Sequence, residues 1–137
     1  FEFIIANYPD TDFAFDSKFK LDLINEVLAS KEMYIGKHYL KKKKWIAAIN
    51  RFKIIVSDYD TTIYVEEAIH RLVEVHYHIG LLEESEKYAQ LLGYNYLSSK
   101  WYEKSYRILN KNYTSKKIIN DKKKENVIFK KFKNFFN

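Results

Sequence analysis

The apolar residues between Trp45 and Tyr59 make the first structural choice. Trp45, Ala48, Ile49, Phe52, Ile55, Val56 and Tyr59 fall at i, i+3, i+4, i+7, i+10, i+11 and i+14. That spacing draws one continuous stripe along a helix and lacks the alternation a half-buried strand requires. Just upstream, Ile35, Gly36 and Tyr39 lie on one side of another helical segment. Lys41-Lys42-Lys43-Lys44 reads as a tight polar turn between the two. Gly36 and Ala48 are small enough to bring two helix backbones close, and Tyr39, Trp45 and Phe52 fill the space around them. The chain holds only three Gly and one Pro in 137 residues. A fold of many short strands needs more turn residues than that, so an all-α architecture is favoured.

Small and aromatic residues in this order form the pattern of a tetratricopeptide (TPR) repeat, a helix-turn-helix unit of about 34 residues. In that frame Gly36, Tyr39, Ala48 and Phe52 take four signature positions, and Trp45 takes the aromatic position that opens the second helix. Asp60 replaces the usual terminal Pro. The expected fold is an all-α, TPR-like α-solenoid of antiparallel helix hairpins with one overlong helix. The overlong helix follows from two matching unit ends. Tyr8-Pro9-Asp10-Thr11 and Tyr59-Asp60-Thr61-Thr62 lie 51 residues apart, about 17 more than one repeat. Between Asp12 and Leu40 there is no Pro and no turn cluster. One helix over 13–42 is therefore expected, with a break near Ala29-Ser30 as the alternative. Its partner should span about 45–58.

The remaining elements follow from caps and breakers. Residues 1–7 read as the last turns of a helix, and Asp10 and Asp12 as caps for the next. Val65, Ile69, Leu72, Val73, His76 and Ile79 form the inner stripe of a further helix, which Gly80 ends as a C′ residue. Leu82 to Leu92 is its shorter partner, with Ser85 and Ala89 at small positions. Gly93-Tyr94-Asn95-Tyr96 reads as a turn. Ser98 or Ser99 caps a last helix carrying Trp101, Tyr102, Tyr106, Ile108 and Leu109, which closes the stack. Residues 1–110 are thus expected to be repeats. The chain opens inside an apolar helical pattern without an initiator Met, so it is expected to be the later part of a longer protein.

Residues 111–137 form a separate basic tail, amphipathic or disordered. They carry nine Lys against Asp121 and Glu125, a net +7, while the rest of the chain has a net −1. Electrostatic arguments about partners therefore concern the tail. Phe129, Phe132 and Phe136 share one helical face. Packing onto the solenoid or a partner, disorder, and contact with anionic lipid or nucleic acid stay open for this segment.

Chemical motifs are sparse. Cysteine is absent, which excludes disulfides and thiolate metal sites. Glu67-x-x-His70 has the spacing used in carboxylate di-metal bundles, but it occurs once and no second helix offers Glu with His. No metal and no cofactor are expected. There is no Gly-rich phosphate loop and no nucleophile elbow, so an enzyme is not expected. A peptide-binding adaptor is the alternative function, with a concave groove lined by Lys37, Lys41, His70, Glu74, Tyr77 and His78. Nucleic acid is not an expected partner, because no nucleic-acid fold fits these repeats.

Several clusters resemble one family. Leu21-Asp22-Leu23-Ile24-Asn25, Lys31-Glu32-Met33, Ile46 to Phe52, and Glu66-Glu67-Ala68 through Arg71-Leu72-Val73-Glu74 resemble the later repeats of the BamD family. Leu92 to Tyr96 with Ser99-Lys100-Trp101-Tyr102 resembles the C-terminal signature of its alphaproteobacterial branch. The resemblance covers residues 1–110. It implies a TPR lipoprotein scaffold on the periplasmic face of the outer membrane, in the machine that assembles β-barrel proteins (the BAM complex). It also implies docking of these repeats on the last POTRA domain of BamA, with contacts to accessory BAM subunits. Arg51 matches an Arg that the family uses as an ion-pair partner in docking. The implied interface residues are Arg51, Asn50, Trp45, Tyr39, Lys41 and Lys44. The lipid-bearing Cys of the family would lie upstream of this sequence, so the implied membrane anchor is absent from this chain.

Overall fold

The structure, a computed structural model, describes residues 1–97 and 99–110. The expectations for the basic tail, and Ser98 as a cap, lie outside these residues. The described residues form helices α1 (Glu2–Asn7), α2 (Asp12–Lys41), α3 (Trp45–Asp58), α4 (Val65–His78), α5 (Leu82–Asn95) and α6 (Lys100–Leu109). Each helix packs on the next in chain order, and α6 also folds back onto α4. This is a TPR-like all-α arrangement. None of the described helices is long and apolar enough to cross a membrane.

α2 is one helix of 30 residues and passes Ala29-Ser30 without a break. Ser30 does not compete with the helix, because its hydroxyl donates to the Val27 carbonyl at 2.8 Å. The cap of α2 is Thr11 rather than Asp10 or Asp12. Thr11 has the extended backbone of an N-cap, and its Oγ1 accepts the Ala14 N–H at 3.3 Å. Asp12 sits inside the first turn instead, where its charge meets the helix dipole. At the other end of the molecule, α5 continues to Asn95, so Gly93-Tyr94-Asn95 is helical and not a turn. Gly93 answers to packing: a Cβ there would lie 2.5 Å from Tyr102 Cε2 of α6. Ser99 caps α6, its Oγ accepting the Trp101 N–H at 3.1 Å.

Both hairpins turn in the same way. After α4, Gly80 N–H donates to Tyr77 O and Leu81 N–H to His76 O. After α2, Lys43 N–H donates to Leu40 O and Lys44 N–H to Tyr39 O. These are paired Schellman-type closures, which place one residue in the left-handed region. Gly80 takes it with φ +86 and Lys43 with φ 56.

The core runs through α2, α3 and α4. Ala29 and Met33 meet Ala48, Ile49, Phe52 and Ile55, which in turn meet Ala68, Leu72 and Val75. A very close contact joins Gly36 to the Phe52 ring, where an added Cβ would lie 2.5 Å from Cε1. Beyond α4, Val65, Ile69 and Leu92 gather Tyr96, Trp101 and Tyr102 into a second cluster that fixes α5 and α6. Ser85 sits in the α4–α5 seam, fully buried, and its hydroxyl donates to Val73 O at 2.9 Å.

The length of α2 leaves a face uncovered. At 1.5 Å per residue it extends about 45 Å, against about 21 Å for α3. α1 lies along the first turns, where Lys20 Nζ stands over the Phe1 ring and Ala14 and Ser17 are buried. On another side Phe15, Phe19, Leu23 and Val27 follow at four-residue steps and are each 56–69% exposed. These side chains remain mostly exposed, with Lys18 of the same helix over the Phe15 ring at 5.9 Å.

Two outcomes are expected. Gly36→Ala should destabilise the chain by about 1–3 kcal/mol despite the better helix propensity of Ala, because the Phe52 ring has no room to retreat. Urea denaturation of the two proteins measures it. The 137-residue chain alone should self-associate through the α2 stripe. Phe19→Ser with Leu23→Ser should shift sedimentation to the monomer with little change in melting temperature.

Candidate functional site

The surface formed by α2, α3, α4 and α6 contains a groove of about 540 Å3. Leu40, Val75 and Ile108 form its apolar part, with Trp45, Tyr77 and His78 as the aromatic wall. Lys37, Lys41, Arg71 and Glu74 supply charge. Trp45 opens α3 and His78 ends α4, and their rings meet at 4.7 Å. This contact fixes the two hairpin turns beside each other.

Below the groove a chain of charges ties α2 to α4. Glu67, in the first turn of α4, accepts from Lys37 of α2 and from Arg71 one turn on. Arg71 also donates to Glu74 at 2.8 Å and lies over the Trp101 ring of α6 at 5.9 Å. Burial pushes the Glu67 carboxyl up, but the Lys37 and Arg71 cations outweigh it and hold it below the usual carboxylate range. Burial likewise acts against the Arg71 charge, and Glu74 and Glu67 more than offset it.

His70 faces away from the groove. It is buried, its Nδ1 shares a 2.8 Å hydrogen bond with Ser105 Oγ, and its ring packs on Trp101 at 5.1 Å. The expectation that His70 lines the groove is therefore corrected: the spacing that brings Ile69 inward also turns His70 toward α6. Burial lowers its pKa from 6.5 to about 4, with Glu74 opposing and Arg71 and Lys104 assisting. Glu67 and His70 thus serve different seams. Among the described residues no group of three His, Cys, Asp or Glu is placed to hold a metal ion.

The six residues singled out as interface candidates do not form one patch. Trp45 and Lys41 line the groove. Lys44 belongs to the exposed turn before α3. Arg51 lies on the other flank of α3, where its guanidinium donates to Glu32 of α2 at 3.0 Å. The hydrogen bond to Glu32, then its charge, holds the Arg51 guanidinium above its ordinary range, and Tyr39 adds to this. Asn50 is exposed next to Arg51, and Tyr39 packs against the core. Glu32 was not singled out from the sequence. The signal was there, since Glu32, Gly36 and Tyr39 occupy one face of α2 at i, i+4 and i+7.

Stacked helix hairpins with a groove and paired charges on their flanks define a TPR-like helical-repeat fold. The chain belongs to the YfiO family of outer membrane lipoproteins, whose model matches residues 1–91. It is 51% identical over 113 residues to the outer membrane protein assembly factor BamD of Rickettsia prowazekii, an alignment that covers 82% of this chain and 45% of that protein. With the BamD of Caulobacter vibrioides it shares 44% identity over 109 residues, covering 80% of this chain and 36% of the relative. The chain thus spans less than half the length of these relatives. Family membership places it at the outer membrane, on the periplasmic side.

The His70 seam is expected to be sensitive to acid. The neutral imidazole belongs to the folded state, and the unfolded chain takes up the proton more readily between about pH 6.5 and about 4. Stability is therefore full above that window and falls as pH falls through it, with His70 accounting for about 2 kcal/mol between about pH 7.5 and pH 5. In urea titrations at the two pH values, His70→Asn should lose about that much less than the parent chain.

Proposed function

We propose that this chain is the docking part of an outer-membrane protein assembly subunit, a scaffold that binds the POTRA region of BamA through its C-terminal repeats. Accessory subunits of the same complex would share the surface. The observation that carries the reading is the match to BamD at 51% identity over 113 residues, 82% of this chain. Two features are consistent with it. Arg51 is partly exposed and held in one orientation by Glu32, so it offers a guanidinium fork to a partner carboxylate at little further ordering cost. The apolar stripe of α2 is suited to stacking another hairpin, as a longer solenoid would require.

The test is a binding measurement with the last POTRA domain of BamA. Charge reversal at Arg51 is a poor probe, because it would set two carboxylates against each other beside Glu32. Arg51→Gln avoids this. It should weaken binding at least about tenfold, or ~1.4 kcal/mol, while the circular-dichroism spectrum stays that of the parent. Unchanged affinity would remove Arg51 from the interface, and no binding by the parent chain would overturn the reading itself.

A further inference from the structure

The end of the solenoid that carries both hairpin turns gathers one kind of chemistry. Lys41, Lys42, Lys43 and Lys44 are all exposed. Among the described residues none of them has a carboxylate within ion-pair distance. The Trp45–His78 contact sets this turn beside the turn after α4. Exposed Leu81 ends that second turn, exposed Leu82 opens α5, and exposed Ile46 lies in the first turn of α3. Glu83 and Glu84 open α5 at the same end, but Glu84 is neutralised by Lys87 at 2.7 Å. Ile108 of α6 reaches the groove between the turns.

The backbone adds an independent observation. Two equivalent Schellman turns stand side by side, and one uses Gly80 while the other uses Lys43 at φ 56. A lysine in the left-handed region is disfavoured relative to glycine. The fold therefore keeps a cation within the four-lysine run at a position where backbone preference calls for Gly, which suits a role for the charge at that point.

We propose that this end of the solenoid is a peripheral contact for a bilayer surface rich in anionic lipid. The four lysines of the turn meet phosphate headgroups, and Leu81, Leu82 and Ile46 enter the boundary between headgroups and acyl chains. Lysines near an anionic bilayer are attracted in a salt-dependent way, and a few apolar side chains add a contribution that salt does not remove. The Trp45 and Tyr77 rings nearby are of the type that settles at such interfaces. Membership in an outer membrane lipoprotein family supplies the surface. This contact is separate from the Arg51 flank, and it assigns to the bilayer Lys41 and Lys44, which the family resemblance implies for docking to BamA.

Vesicle co-sedimentation of the full 137-residue chain tests the contact. Phosphatidylcholine vesicles with and without phosphatidylglycerol are compared at low and high salt. The chain should prefer the anionic vesicles, and salt should weaken the binding. Replacing Lys41, Lys42, Lys43 and Lys44 by Gln should reduce partitioning at least about tenfold. Leu81→Ser with Leu82→Ser should reduce the part that survives high salt. A control with Lys122, Lys123 and Lys124 replaced by Gln reports on the tail. If that control loses binding while the turn variant keeps it, the turn is not the contact and the proposal fails. Equal binding to both vesicle types overturns it, as does equal affinity of the chain for short duplex DNA. Circular dichroism on each variant ensures that a folded chain is compared. Should the fourfold change unfold the hairpin, Lys42→Gln with Lys44→Gln, which leaves the left-handed position untouched, should still lower anionic-vesicle binding severalfold.

Discussion

The approach of Gly36 to the Phe52 ring sets the geometry on which the other contacts depend. Where the ring sits, even a methyl group on α2 would overlap it. This contact lets α3 lie flat on the C-terminal half of α2 with Ala29, Met33, Ala48 and Ile49 in the same layer. α4 then packs on α3 through Ala68, Leu72 and Val75, and α5 and α6 follow through Leu92 and the aromatic cluster. Protein interiors are close-packed, so a shift in the first seam is passed to the next one. Gly93 against Tyr102 repeats the device at the α5–α6 seam.

Polar groups sit where this stacking leaves seams. Glu67 is the hinge of the charge network, since two cations from different helices meet on one partly buried carboxylate. Such a pair adds little net stability over an apolar contact, but losing one partner leaves buried charge uncompensated. The network therefore acts mainly to hold the register of α4 against α2. His70 with Ser105, and Ser85 with the Val73 carbonyl, do the same for α6 and α5 with neutral hydrogen bonds. The groove inherits its form from these seams, and its aromatic wall exists because Trp45 and His78 terminate neighbouring helices.

The family match and the architecture bear on each other through length. The relatives are more than twice as long as the matched region, and the uncovered stripe of α2 lies on the half of that helix which α3 does not reach. A solenoid buries its hairpin faces only by stacking neighbours. Phe15, Phe19, Leu23 and Val27 have the spacing and exposure of such a stacking face, while Arg51 and the groove lie on surfaces that the described stack leaves open.

Periodicity and breakers determined the helices. The stripe from Trp45 to Tyr59, the absence of Pro between Asp12 and Leu40, and the Gly80 stop depend on nearest neighbours along the chain, and each element they imply is present. The small-aromatic pairing of Gly36 with Phe52 was legible for the same reason, since a helix face can be read from spacing alone. Local signals failed where a distant contact overrode them. Gly93 looks like a turn residue but continues a helix, because Tyr102 of α6 needs the space. His70 looks like a groove residue but is buried, because Ser105 and Trp101 arrive from 31 and more residues away to cover it. The pairing of Arg51 with Glu32, and the separation of the six candidate residues onto different surfaces, also came from tertiary structure. The angle at which two helices cross is set by side-chain packing between them, and no pattern within either helix contains it.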